Sequence, residues 1–319
     1  GGLGKGGKGY YCLDITNASG ITSESSLASK VKWEFPPRGA TDPDMGYSYG
    51  EAYIVKANTG GWIVIFGNGY ASANQKAVLF ILDAATGSVL KRIDTGVGSC
   101  NGLSAPVPVD VDTDNKVDYV YAGDLKGNLW KFDLTDASAT NCDVAYKSGS
   151  TAQPLFQAKD ASGNAQPITT RPDVMAHCVS RMPGHIVVFG TGKYLGNSDF
   201  EDSQIQTVYG VWDYGDDADD SEYLGAFNRP NLSHQDEEVT LLQQFVIPYS
   251  QDYRLVSENP INWVSEDDGG QGVNPSSSVD NHAGWYLDLP ETRERVIRNL
   301  SIRDGRVILI SSIPSMSPC

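Results

Sequence analysis

The sequence lacks the features that mark membrane-spanning, nucleic-acid-binding and zinc proteins. Its 319 residues contain no apolar run of about 18 residues, so we expect no membrane-spanning helix. Basic residues are scarce, with 24 Lys and Arg against 40 Asp and Glu, and the net charge of −16 argues against nucleic acid as a partner. None of the five cysteines forms a CxxC pair, which argues against zinc.

Signals of enzyme chemistry are also scarce. The four histidines show no HExxH spacing, and no GxSxG elbow occurs. Gly67-Asn68-Gly69 and Gly190-Thr191-Gly192 are followed by no helical pattern, which favours strand-end turns over phosphate-binding loops. We therefore expect no enzymatic activity.

The ends of the chain and its cysteines leave questions open. The chain begins at Gly1-Gly2-Leu3, without Met or a signal-peptide pattern, and we interpret it as a segment of a longer protein. The odd cysteine count leaves one thiol unpaired, unless Cys319 pairs with a cysteine beyond it. A Cys100–Cys142 disulfide is compatible with their positions in polar loops, and so are two free thiols.

What the sequence does contain is a succession of short β-type runs between turns rich in Gly, Asn, Asp and Ser. Amphipathic helical periodicity is nearly absent, so the pattern predicts an all-β fold. One unit recurs: a strand that ends in Gly is followed by a loop and a strand that ends in an apolar residue plus Asp. The unit is seen at Trp62–Gly67 with Val78–Asp83, Tyr119–Gly123 with Asn128–Asp133, and Ile186–Gly190 with Val208–Asp213.

These recurring units favour a β-propeller, because one such sheet cannot bury both faces alone whereas a ring of sheets can. An irregular β-sandwich is the alternative. We predict a single, partial propeller domain over residues 1–319, with long loop insertions near 134–185 and 214–282. The second insertion carries the acidic run Asp216–Glu222, a weak calcium site or, more commonly, a solvated loop.

The most informative stretch is Asp110–Asp118. Its carboxylates at Asp110, Asp112, Asp114 and Asp118 occupy positions 1, 3, 5 and 9 of an EF-hand-like loop. Position 7 is Lys116, which would offer its main-chain carbonyl, and position 6 is Asn115, which tolerates a positive φ.

The expected glutamate at position 12 is replaced by Tyr121, and the flanking segments are strand-like. The loop is therefore not a helix-loop-helix hand. A cage of carboxylates and a carbonyl suits Ca²⁺ better than Mg²⁺, so we predict a calcium site. The alternative is an Asp-rich turn that is capped by its own backbone amides.

Taken together, these motifs resemble the C-terminal propeller of the PilY family of type IV pilus biogenesis factors and adhesins. The resemblance covers nearly the whole chain, and its most specific part is Asp110–Asp118 followed by Tyr121–Asp133. The other matching segments are Gly1–Asp14, Trp62–Tyr70, Phe189–Leu195, Tyr209–Asp213, Gly284–Pro290 and Ile313–Cys319.

The resemblance implies a modified seven-bladed, quinoprotein-like propeller at the pilus tip or cell surface, exported through the periplasm. It implies pilins or minor pilins as partners, with host or surface receptors in addition. It also implies a calcium site, formed by Asp110, Asp112, Asp114, Asp118 and the carbonyl of Lys116, that is linked to pilus extension and retraction, twitching and adhesion.

Two other functions remain open at this point. A quinone-dependent dehydrogenase shares the propeller type, but it would be expected to have adjacent cysteines, and no Cys-Cys pair is present. A calcium-stabilised adhesin of another system would use the aspartate loop only to hold its fold.

Overall fold

We describe the chain from a computed structural model, in which residues 1–178, 184–213, 227–228, 233–234, 237–238, 240–248, 254–261, 263 and 282–315 are described. Within these residues the secondary structure is almost entirely β. The exceptions are the short helix α1 (Glu24–Ala28) and 3₁₀ turns at Ala18–Gly20, Ala139–Asn141 and Asn197–Phe200. No helix in the described ranges is long and apolar enough to cross a membrane.

The strands, in chain order, are β1 (Tyr10–Leu13), β2 (Val31–Phe35), β3 (Tyr53–Lys56), β4 (Trp62–Gly67), β5 (Val78–Asp83), β6 (Val89–Asp94), β7 (Val107–Val109), β8 (Tyr119–Gly123), β9 (Asn128–Asp133), β10 (Asp143–Val144), β11 (Tyr146–Ser148), β12 (Thr151–Gln153), β13 (Phe156–Gln157), β14 (Asp173–Ala176), β15 (His185–Gly190), β16 (Thr207–Asp213), β17 (Phe227–Asn228), β18 (Ser233–His234), β19 (Glu237–Glu238), β20 (Thr240–Gln244), β21 (Val246–Pro248), β22 (Arg254–Val256), β23 (His282–Asp288), β24 (Arg295–Val296), β25 (Ser301–Arg303), β26 (Arg306–Ile308) and β27 (Ser311–Ser312).

The chain divides into two compact units. The first contains Gly1–Ala122 and Lys131–Ala145, and the second contains Gly123–Trp130 and Tyr146–Cys319. The predicted extent of a single domain stays a prediction.

The first unit is built around an antiparallel sheet in the order β3-β4-β5-β6. Its two central strands are continuous apolar runs, and nearly every residue in them is buried, as expected for strands covered on both faces. Aromatic rings fill one side of the core: Phe66 stacks on Phe80 at 5.3 Å between centroids, and Tyr10 approaches Phe66 at 4.1 Å. Strands β1 and β2 form a separate two-stranded sheet, and β7 pairs antiparallel with β8.

The second unit contains a five-stranded sheet in the order β14-β15-β16-β23-β20. Its pairings are antiparallel except for β20, which runs parallel to β23. Phe189 and Tyr209 are fully buried at its centre, with ring centroids 5.3 Å apart. Shorter pairings in the unit are β9–β13, β11–β12, β13–β17, β18–β19, β21–β22, β24–β27 and β25–β26.

The recurring unit in the sequence is an antiparallel hairpin. In the first unit β4 ends at Gly67 and pairs with β5, which ends at Asp83. In the second unit β15 ends at Gly190 and pairs with β16, which ends at Asp213. The glycines are required by close packing, since a Cβ at Gly67 would lie 2.0 Å from the Ser104 carbonyl oxygen.

Two expectations about loops and thiols need correction or refinement. The stretch near 134–185 contains five short strands, β10 to β14, rather than loop alone. Most of 214–282, including Asp216–Glu222, lies outside the described residues. Of the two alternatives for Cys100 and Cys142, the structure has the free thiols, with Cys142 buried and Cys100 exposed.

Candidate calcium site

The aspartate loop is the connection of the β7–β8 hairpin in the first unit. The two strands pair antiparallel, with Val107 opposite Tyr121 and Val109 opposite Tyr119. The backbone N–H of Asp118 donates to the carbonyl oxygen of Val109 at 2.9 Å, so the pairing continues to the base of the loop. The predicted placement of the loop between two β elements is therefore confirmed.

The backbone of the loop turns tightly through two residues in the left-handed region. Asn115 has a φ of 68°, as its position 6 requires, and Thr113 has a φ of 64°. A left-handed conformation is costly for a β-branched residue, so the second turn is one that the sequence does not signal. These turns fold the chain back on itself, so that the carboxylates of Asp110, Asp112 and Asp118 face one another.

Three of the four predicted carboxylates converge. Oxygen atoms of Asp110, Asp112 and Asp118 all lie within 4.8 Å of one another. Each carboxylate accepts a hydrogen bond from a loop amide: Asn115 N donates to Asp110, Asp114 N to Asp112, and Val111 N to Asp118, at 2.8 to 3.0 Å. Asp118 is buried at 8% exposure, whereas Asp110 and Asp112 are exposed.

This donor set fits a hard divalent cation. A carboxylate offers about four acceptor directions, so one amide donor leaves most of its capacity open. Two like charges 4 Å apart repel by about 1 kcal/mol in water and by more at a partly buried position. An oxygen cluster of this kind suits Ca²⁺, which tolerates irregular coordination and water in its shell. Tyr121, at position 12, lies fully buried in β8 and brings no carboxylate.

Asp114 does not join the cluster. Its carboxylate forms an ion pair with the Lys116 ammonium and also accepts the Lys116 backbone N–H at 2.8 Å. The hydrogen bond from Lys116 holds the pKa of Asp114 below its ordinary value, and the same contact raises the pKa of Lys116. The Lys116 side chain therefore neutralises one of the predicted ligands.

The exit of the loop is held by neighbours that are distant in sequence. Asn58, in the turn between β3 and β4, donates from Nδ2 to the carbonyl oxygen of Val117 at 3.0 Å and approaches Asp118 Oδ1 at 3.4 Å. The Leu134 N–H donates to the Asp118 carbonyl oxygen at 2.8 Å. Sequence reasoning missed Asn58, because nothing in its local sequence separates it from other turn asparagines.

A second acidic turn, in the second unit, has a different design. The fully buried carboxylate of Asp124 accepts hydrogen bonds from four donors within one hairpin. They are the Lys126 N–H, the Asn128 N–H, Asn128 Nδ2 and Trp130 Nε1, each at 2.9 Å. Asp160 repeats the Asp-x-x-Gly-Asn sequence and accepts from Ser162 N, Asn164 N and Asn164 Nδ2. These carboxylates are organised by the chain itself.

Comparison with known proteins places the chain in a family. A family model described as the PilY1 beta-propeller domain matches residues 1–242. The type IV pilus biogenesis factor PilY1 of Pseudomonas aeruginosa is 34% identical over 340 residues, which cover 100% of this chain and 27% of that protein. A PilY1 homolog of Xylella fastidiosa is 34% identical over 334 residues, covering 99% of this chain and 20% of that protein.

A solved structure agrees with these relatives. The crystal structure of the Pseudomonas aeruginosa PilY1 C-terminal domain matches with a TM-score of 0.72 and 33% identity, over 96% of this chain and 62% of that one. The chain thus spans about a quarter of the length of the first relative. The predicted all-β propeller fold and the resemblance to the PilY family are confirmed: the chain belongs to the PilY1 β-propeller domain family.

Proposed function

We propose that this domain is a calcium-binding part of a protein that serves type IV pilus biogenesis. The observation that carries the calcium proposal is the convergence of Asp110, Asp112 and Asp118 in one hairpin loop. Asp114 and the carbonyl of Lys116 complete the ligand set when the Asp114 carboxylate leaves the Lys116 ammonium. Calcium supplies the positive charge that the three clustered carboxylates otherwise lack.

The pilus role rests on the relatives, which are named as type IV pilus biogenesis factors. Because this chain covers about a quarter of the first relative, the role belongs to a longer protein of which this domain is a part. We propose pilins or minor pilins as its partners, surface or host receptors as further ligands, and the pilus tip or cell surface as its location. At that location, we propose, the protein takes part in the control of pilus extension and retraction, in twitching and in adhesion.

The loop offers a physical route from calcium to these activities. Without an ion, three carboxylates within 4.8 Å repel one another, and the exposed part of the loop loosens. With an ion bound, the same carboxylates are drawn together and the hairpin tip becomes ordered. A micromolar affinity would make the site a switch at ambient calcium, and much tighter binding would make it a structural ion.

We propose a non-enzymatic role over the runner-up, a quinone-dependent dehydrogenase. The dehydrogenase proposal predicts a quinone absorption band in the purified protein and adjacent cysteines near the cofactor. The sequence has no Cys-Cys pair. Within the described residues, the acidic cluster of Asp110, Asp112 and Asp118 is suited to binding a metal ion.

Calorimetry on chelated protein tests the calcium proposal. Wild type should bind one Ca²⁺ and gain thermal stability, while Asp110→Ala and Asp118→Ala should lose tight binding, because each removes a converging carboxylate. Asp94→Ala is a matched control, since Asp94 is an exposed aspartate paired with Lys76 at 2.6 Å in the same unit. An unchanged thermal midpoint with and without calcium would overturn the proposal.

The Asp118→Ala substitution also tests the pilus role when it is introduced into the full-length protein in its own bacterium. Loss of twitching, with the protein present at wild-type abundance, would connect the loop to pilus function. Normal twitching together with lost calcium binding would restrict calcium to a structural part.

A further inference from the structure

The turn between β3 and β4 lies directly against the exit of the aspartate loop. Ala57 forms a parallel bridge with Val117, and the Val117 N–H donates to the carbonyl oxygen of Lys56 at 3.0 Å. The turn itself is closed by the Ala57 N–H to Gly61 carbonyl bond, 2.8 Å, and the Gly60 N–H to Ala57 carbonyl bond, 2.9 Å. Loop and turn are therefore joined by main-chain contacts on one side.

Asn58 joins them through its side chain as well. Its Nδ2 lies 3.0 Å from the Val117 carbonyl oxygen, 3.2 Å from that of Leu134 and 3.4 Å from Asp118 Oδ1. A carboxamide nitrogen has two protons, so three acceptors must share them. The bond to the Asp118 carboxylate is the longest of the three, so it has the most room to shorten when that carboxylate is fixed in place.

Lys56 adds a further contact to this side of the loop. It carries a positive charge, and its carbonyl oxygen accepts the Val117 N–H at 3.0 Å. Lys56 is the last residue of β3, two positions before Asn58. One short segment thus supplies a cation, a carbonyl and an amide to the exit half of the loop.

We infer that Asn58 is a positioning residue that couples calcium occupancy of the aspartate loop to the order of the β3–β4 turn, an inference that rests on the proposed calcium site. An ion that fixes the Asp118 carboxylate beside Asp110 and Asp112 also fixes the Asn58 side chain that donates to this carboxylate. Through the Asn58 bonds to the Val117 and Leu134 carbonyl oxygens, the ion then tightens the turn. Coupling of this kind is reciprocal, so loss of Asn58 must also weaken calcium binding.

The experiment combines calorimetry with amide hydrogen exchange on the whole chain. In wild type, calcium should slow exchange of the Ala57 and Gly60 amides and leave the comparable Gly87 amide, which bonds to the Asp83 carbonyl oxygen, unchanged. In Asn58→Ala the calcium dissociation constant should rise about tenfold, as for residues that orient metal ligands. The calcium-dependent protection of Ala57 and Gly60 should disappear, although calcium still binds at saturating concentration.

The matched control is Asn74→Ala, since Asn74 Nδ2 also donates to an aspartate, Asp44 Oδ1, at 2.6 Å. It should retain wild-type affinity and protection. Asn58→Ser keeps one donor in place of two, should be intermediate in both measurements, and replaces the alanine variant if that variant does not fold. Wild-type affinity and protection in the Asn58 variants would overturn the inference alone. Absence of calcium binding in wild type would overturn the proposed function and the inference together.

Discussion

Two acidic turns, separated by only a few residues of sequence, use their carboxylates in opposite ways. In the aspartate loop, oxygen atoms of three carboxylates lie within 4.8 Å of one another, and each carboxylate accepts a hydrogen bond from a backbone N–H of the same loop. In the turn that begins at Asp124, one carboxylate is fully buried and accepts four hydrogen bonds from its own hairpin. In the aspartate loop, carboxylate oxygens face one another. In the Asp124 turn, N–H donors surround a single carboxylate.

This difference shows that donor supply, more than the number of aspartates, separates a ligand site from a structural turn. A buried carboxylate is stable when N–H groups saturate it, and it then has no capacity for a metal. Carboxylates that face one another with few donors, as in the aspartate loop, are stabilised when a cation arrives. Asp160, with Ser162 and Asn164 as donors, resembles Asp124 in being saturated by N–H groups.

The largest expected effect is that of Asp124→Asn on stability. The substituted amide places an NH₂ group among the donors Asn128 Nδ2 and Trp130 Nε1, so buried donors face each other. Leaving buried polar groups unsatisfied costs about 1 to 3 kcal/mol each, so we expect a loss of about 3 kcal/mol in the free energy of unfolding. Urea denaturation in excess chelator measures it, and the gain in stability on adding calcium should remain.

The paired control is the same chemical change in the aspartate loop. Asp112→Asn removes one of the clustered charges from an exposed position, so it should change chelated stability by less than about 0.5 kcal/mol while weakening calcium binding. If the two substitutions destabilise equally, the contrast between a donor-saturated carboxylate and a clustered one is wrong.

Much of the fold could be predicted because its main strands are long apolar runs that carry their own signal. For this reason the sequence predicts the β4–β5 hairpin, whose strands end at Gly67 and Asp83, and the β15–β16 hairpin, whose strands end at Gly190 and Asp213. Strands such as Asp143–Val144 were not, since two residues carry no periodicity. For Cys100 and Cys142 the sequence left a disulfide and two free thiols open, because the polar flanking residues did not reveal that Cys142 is a buried free thiol, where desolvation raises its pKa to about 11.

The candidate site divides in the same way between local and distant information. Spacing alone predicted Asp110, Asp112 and Asp118 and the left-handed Asn115, because these follow from loop geometry. Spacing could not show that Asp114 pairs with Lys116, since that depends on side-chain rotamers. The contact with Asn58, about 60 residues earlier in the chain, lies beyond any local pattern.

A smaller effect is expected when the counter-ion within the loop is removed. Lys116→Met keeps the predicted carbonyl ligand but abolishes the ion pair with Asp114, so this carboxylate becomes available to calcium. The two side chains are about one-third exposed, at 30% and 33%, and solvent screening limits the gain. We expect calcium to bind about threefold more tightly.

Lys126→Met is the matched change in the donor-saturated turn, where Lys126 contributes its backbone N–H to Asp124. Calorimetry should show the wild-type calcium affinity for this variant. If Lys116→Met binds calcium no more tightly than Lys126→Met does, Asp114 is not a ligand.

The smallest effect is a pH dependence of the donor-saturated turns. Burial tends to raise the pKa of Asp160, but hydrogen bonds from Gln204, Asn164 and Ser162 outweigh it and lower the pKa below its ordinary value. A lowered folded-state pKa stabilises the protein above the unfolded-state value, about 3.9, and this contribution is lost as pH falls through the folded-state pKa. Asp160→Asn should therefore be less stable than wild type at pH 7, with a difference that shrinks as the pH falls below about 4. Denaturation in chelator from pH 7 to pH 3 measures this difference. A difference between wild type and Asp160→Asn that stays constant with pH would mean that shape, and not the ionised carboxylate, organises the turn.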